Sequence, residues 1–157
     1  MQANPEFMRQ AIELANENVT SGSGGPFGAV IVRDGAVIAT GANCVTKGND
    51  PTAHAEVVAI RNACRDLGSF SLEGCVIYTS CEPCPMCLAA IYWARMDGIF
   101  FSGTAADAAD AGFDDAFLYD ELTRPMRDRS IPSEPLLKER GRESFDVWRS
   151  FVQRVDY

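Results

Sequence analysis

SCEPCPMC, residues 80–87, sets three cysteines at a strict spacing of three: Cys81, Cys84 and Cys87. What they hold decides what is built around them. A ferredoxin-type cluster needs a fourth cysteine four residues on, followed by proline. That position is Ile91, so the iron–sulfur reading lacks a ligand. A redox dithiol at Cys84/Cys87 is not forbidden by the intervening Pro85–Met86, but nothing else in the chain supports it. Zinc is favoured by the sole histidine, His54, which opens H-x-E with Glu56 and precedes Pro83-Cys84-x-x-Cys87 at a suitable distance. One nitrogen and two sulfurs make a three-ligand set, leaving the fourth position of a catalytic zinc for water. Cys84 and Cys87 share one helical face and lie at a helix start, where free N–H groups and the dipole favour thiolates. Glu56 is not needed as a ligand and is placed to take a proton from that water. Cys81 precedes Pro83 and reads as a packed residue beside the site. Cys44, Cys64 and Cys75 read as small core or loop residues.

The surroundings of the motif agree. The chain has 157 residues, 46% apolar and 23% charged, enough for one domain with a sizeable core. No apolar run is long enough to span a membrane, and the first ten residues show no secretory pattern. A cytoplasmic protein with reduced thiols is therefore expected. Net charge is −8. Residues 1–122 hold six Lys/Arg against sixteen Asp/Glu, net −10, and residues 123–157 hold eight against six, net +2. Such an acidic body is a poor surface for a polyanion, which disfavours nucleic acid and favours a small-molecule substrate.

Periodicity predicts an amphipathic helix over 5–20 and a loop at Ser21–Gly25. A hairpin turning at Asp34–Gly35 follows, then a helix from Thr52 stopped by Gly68. Strands are expected at 75–80 and 98–103, and a helix over 83–95 opened by Pro83. An Ala/Asp-rich connector leads to a short helix near 115–122, a fifth strand near 131–138 and a last helix near 142–154. Alternating strands and helices imply an α/β layered sheet.

H-x-E with P-C-x-x-C is the zinc deaminase signature. With GGPFGAVIV, NDPTAHAEVVAI, YTSCEPCPMCLAAIYWAR and DAGFDDAF, the chain resembles the cytidine deaminase-like superfamily. From about residue 5 to Tyr157 it looks most like the small bacterial guanine deaminases. The resemblance implies a three-layer α/β/α sandwich with a five-stranded mixed sheet. It implies one Zn²⁺ per chain on His54, Cys84 and Cys87, and Glu56 as proton shuttle. It also implies a homodimer exchanging a C-terminal segment, about residues 140–157. Purine contacts are implied at Phe27, Asn43, Trp93 and Asp115, with Asp115 helping the amino group leave and Tyr157 closing the site.

Each implied residue has a blander reading. Phe27 and Trp93 suit a core, Asn43 a turn, and Asp115 a helix cap. Rival activities in the same superfamily are deamination of tRNA adenosine and of cytosine or a triazine. A non-catalytic zinc module is a different class, against which Glu56 argues. The tail carries apolar Phe145, Val147, Trp148, Phe151, Val152 and Val155 almost to its end, so the terminus is expected to be docked.

Overall fold

Strand β1 (Gly28–Arg33) is buried along nearly its whole length and organises the rest. It pairs antiparallel with β2 (Ala36–Ala42) on one side and with β3 (Cys75–Cys81) on the other. Strand β4 (Gly98–Gly103) adds parallel to β3, giving a mixed sheet of order β2-β1-β3-β4. The computed structural model describes residues 2–157. The chain divides into two compact units, one ending at Ala116 and one comprising Phe117–Tyr157.

The pleat sorts the side chains of the first unit into layers. Val30, Val32 and Tyr78 pack with Ala11, Phe7 and Leu14 of α1 (Pro5–Thr20). On the opposite face Ala29, Ile31 and Ile77 pack with Ala55, Ala59 and Ala63 of α3 (Ala55–Leu67), and with Ile91 of α4 (Pro85–Trp93). The result is α/β/α. The hairpin turns at Asp34 (φ 51°) and Gly35 (φ 74°), two left-handed residues in succession, as a type I′ connection requires.

Several expectations are corrected. Among the described residues the sheet has four strands, not five. The stretch 131–137 is irregular and leads into a 3₁₀ turn at Lys138–Arg140. Pro132 and Pro135 each remove a ladder donor there. Helix α3 starts at Ala55, not Thr52, because Asp50 draws Thr52 into a turn. Asp50 Oδ1 accepts from the Thr52 amide (2.8 Å) and hydroxyl (2.6 Å). At α4 it is Pro85, not Pro83, that takes the first turn, with Cys84 at the cap. The Ala/Asp connector contains helix α5 (Ala105–Asp110), opened by a Thr104/Asp107 capping box. A short α2 (Val45–Gly48) precedes α3, and α6 (Ala116–Thr123) is as expected. The final helix, α7 (Glu143–Ser150), ends four residues before the expected 154.

Both helices reach the hairpin through glycine. A Cβ on Gly28 would lie 2.3 Å from the Ala11 carbonyl oxygen, and one on Gly41 2.2 Å from that of Ala55. The second approach fixes where α3 begins, and hence His54 and Glu56. Gly41→Ala is therefore expected to destabilise the protein by about 2 kcal/mol or more, since backbone and not a side-chain tip must move. Urea denaturation should show a lower midpoint at unchanged slope.

Candidate active site

Two helix N-termini meet at one point. His54 is the N-cap of α3 and Cys84 the N-cap of α4; both have extended backbone, and neither side chain caps its own helix. The side chains are thus left to face one another. His54 Nδ1 lies 3.6 Å from Cys84 Sγ and 3.5 Å from Cys87 Sγ, and the three ligand atoms all lie within 4.8 Å of one another. Zn–S near 2.3 Å and Zn–N near 2.05 Å with tetrahedral angles give an N···S edge of about 3.6 Å, so this triangle fits zinc. Cys81 is not in the group. Its thiol donates to the Thr104 carbonyl (3.5 Å), matching its reading as a residue beside the site.

Charge follows from the same geometry. The Cys87 thiol donates to Cys84 and holds the Cys84 thiol down to about 4, with His54 assisting against the effect of burial. Cys87 is pushed upward by that Cys84 thiolate, by burial and by Glu56. His54 is raised chiefly through its contact with Cys84. A soft divalent cation is the partner such a thiolate–imidazole set favours. Glu56, in the first turn of α3, is only 7% exposed. Burial raises its carboxyl, opposed by its own backbone amide. It is a carboxylate that gains by taking up a proton.

His54, Cys84 and Glu56 lie at a cavity of about 520 Å³, within the range of small-molecule sites. Phe27, Asn43, His54, Glu56, Cys84 and Asp115 all line it. Three carboxylates face it (Glu56, Glu82 and Asp115), and among the described residues no Lys or Arg does. Asp115 is raised by burial first and then by Cys84.

The wall bearing Asp115 is set by the end of α5. Gly112 (φ 92°) closes a Schellman motif: Phe113 N donates to Ala108 O (2.9 Å) and Gly112 N to Ala109 O (2.9 Å). The chain then turns so that Phe113 meets Phe27 edge to face, centroids 5.0 Å apart. At the other end of α5, Glu82 accepts from the Ala105 amide (3.1 Å) and so ties the loop carrying Cys84 to the same helix. Neither Phe113 nor Glu82 was foreseen. Phe113 had a signal, the C-terminal glycine before it; Glu82 had none.

Asn43 was expected as a purine contact. Its Oδ1 already accepts from Gly25 N (3.4 Å) and Val45 N (3.3 Å), leaving Nδ2 for the cavity. Trp93 does not line this chain's cavity. Six residues beyond Cys87, it falls about 120° round the helix, and it stands 67% exposed beside Ala89, Tyr92 and Arg95. Tyr157 belongs to the second unit, where its ring lies edge-on to Trp148 at 6.4 Å.

Residues 1–102 match the family described as the cytidine and deoxycytidylate deaminase zinc-binding region. The chain is 54% identical to guanine deaminase of Bacillus subtilis over 96% of its own length and 97% of that protein's. The X-ray structure of guanine deaminase from Bacillus subtilis superposes with a TM-score of 0.96 at 52% identity, covering 99% of both chains. The tRNA-specific adenosine deaminase of Aquifex aeolicus is 40% identical over 74% of this chain and 76% of its own. With its His/Cys/Cys triangle and its buried glutamate, the chain belongs to the cytidine deaminase-like zinc deaminases, in the guanine deaminase branch.

Proposed function

We propose that this protein converts guanine and water to xanthine and ammonia, with one zinc ion per chain held by His54, Cys84 and Cys87. The observation that carries the chemistry is the burial of Glu56 beside that triangle, at the cavity that also holds Asp115. Bound zinc lowers the pKa of its water towards about 7 and so supplies a nucleophile. Glu56 takes a proton from the attacking water. The new C–O bond makes C2 of guanine tetrahedral, and Glu56 delivers its proton to the ring nitrogen beside C2. Asp115 holds the exocyclic amino group and supplies the proton that turns it into ammonia. The hydrogen left on the C2 oxygen reprotonates Asp115 as the carbonyl of xanthine forms. Phe27 and Phe113 offer an aromatic corner for the purine, and Asn43 an N–H donor to its edge.

Among the described residues, three carboxylates and no Lys or Arg line the cavity, which favours a neutral base over a nucleotide or tRNA. The second unit supports a homodimer. No residue in it is buried, and Leu136 (88%), Val152 (94%) and Phe145 (62%) are open to solvent. Large exposed apolar surface of this kind marks an interface. A second copy, exchanging its C-terminal segment, covers it. That copy also brings Trp93 and Tyr157 to the base.

Three outcomes are expected. Glu56→Gln retains its zinc by elemental analysis and loses turnover by at least about a hundredfold; a variant with a tenth of wild-type activity would remove Glu56 from this role. In an ammonia-release panel guanine is converted, while adenine and cytosine are not. Deleting Asp156 and Tyr157 abolishes most guanine turnover but leaves zinc, thermal stability and dimer intact; unchanged activity in that variant rules out a closing role for the tail.

A further inference from the structure

Asn18, near the end of α1, belongs to the small set of buried polar residues, being 6% exposed. It is not among the residues that line the cavity. Its side-chain amide carries two hydrogens, and both are used. Nδ2 donates to Gly25 O (2.8 Å) and to Asn43 O (2.9 Å). Its backbone carbonyl accepts from the amides of Ser23 (2.9 Å) and Gly24 (3.3 Å). The contact is tight: a Cβ on Gly24 would stand 2.1 Å from Asn43 O and 2.8 Å from Asn18 Nδ2. Two carbonyl oxygens, from segments eighteen residues apart, thus point at one spot, and a pure donor must lie between them.

The consequence falls on Asn43. Its backbone oxygen is held by Asn18, its backbone N–H donates to Phe27 O (3.1 Å), and its Oδ1 accepts from Gly25 N and Val45 N. Gly25 can present its N–H to Oδ1 because its carbonyl is anchored to Asn18. Only Nδ2 of Asn43 is left, and Asn43 is one of the residues that line the cavity. We infer that Asn18 is a positioning residue, acting through Gly25 and Asn43 to hold the Asn43 carboxamide with its N–H groups towards the substrate. The inference rests on the reading that Asn43 touches the base. It adds a residue of α1 that does not itself line the cavity.

The test uses the zinc-loaded enzyme. Asn18→Asp keeps the shape and replaces the donor by an oxygen facing two carbonyls, which opens the clasp. The loss of one oriented hydrogen bond is expected to raise KM for guanine by about tenfold, with kcat within about threefold of wild type and zinc unchanged. Asn18→Ser keeps one donor and falls between; it carries the same test if the aspartate variant does not fold. In an Asn43→Ala background, Asn18→Asp should add less than about twofold, the mark of one residue acting through another. Unchanged KM in a folded Asn18 variant, a loss borne by kcat alone, or effects that multiply in the double variant would overturn the inference. Wild-type KM in Asn43→Ala alone would remove the substrate contact and the inference together. Raised KM in that variant with a multiplying cycle would overturn only the role of Asn18.

Discussion

The site depends on a backbone contact with no room for a side chain. Gly41 on β2 lies against the first turn of α3, so close that one added carbon would meet Ala55 O at 2.2 Å. This contact sets the height at which α3 begins on the sheet. His54 at its cap and Glu56 in its first turn are placed by main chain and not by adjustable side-chain packing. Helix α4 packs on the same face through Ile91 and Ala94, which brings Cys84 and Cys87 to the same end of the sheet. The His54/Cys84/Cys87 triangle and Glu56 are therefore both positioned by one helix layer.

The opposite wall is built on another principle. Helix α5 has only six residues and buries none of them, so packing does little to hold it. Hydrogen bonds fix it at both ends: the Thr104/Asp107 box and Glu82 at its start, and the Schellman motif at Gly112 at its close. The side built on close helix–sheet packing carries His54, Cys84 and Glu56. The side held by a few polar contacts carries Phe113 and Asp115.

What could be read in the sequence was what depends on near neighbours or on rare residue types. The Asp34–Gly35 turn, the α1 periodicity and the Gly68 stop are local signals, and the structure contains all three. The ligand triangle was legible because one histidine and a proline-flanked cysteine pair admit few pairings. The fifth strand was misread because apolar residues at 131–137 outweighed Pro132 and Pro135, which remove the donors a strand needs. Helix α5 was hidden by its alanines and aspartates, which show no apolar face, although its Thr104-x-x-Asp107 signature was present. Trp93 was placed at the base by resemblance alone; on α4 it stands apart from this chain's own cavity, beside Ala89, Tyr92 and Arg95. Asn18 left no trace at all, since an asparagine near a helix end is common and its two partners lie seven and twenty-five residues away.

His54 and Cys84 stand where helices ordinarily carry a serine or aspartate that closes the first turn, and neither makes that bond. A forgone cap costs about 1 kcal/mol at each helix. An ion held by both side chains would join two helix ends thirty residues apart in sequence, and so would act as a cross-link as well as a cofactor. By mass action, the fraction of folded chains then rises with the free metal concentration of the surroundings. Scarcity of metal would lower the amount of enzyme through degradation of opened chains, over and above the activity lost from each empty site.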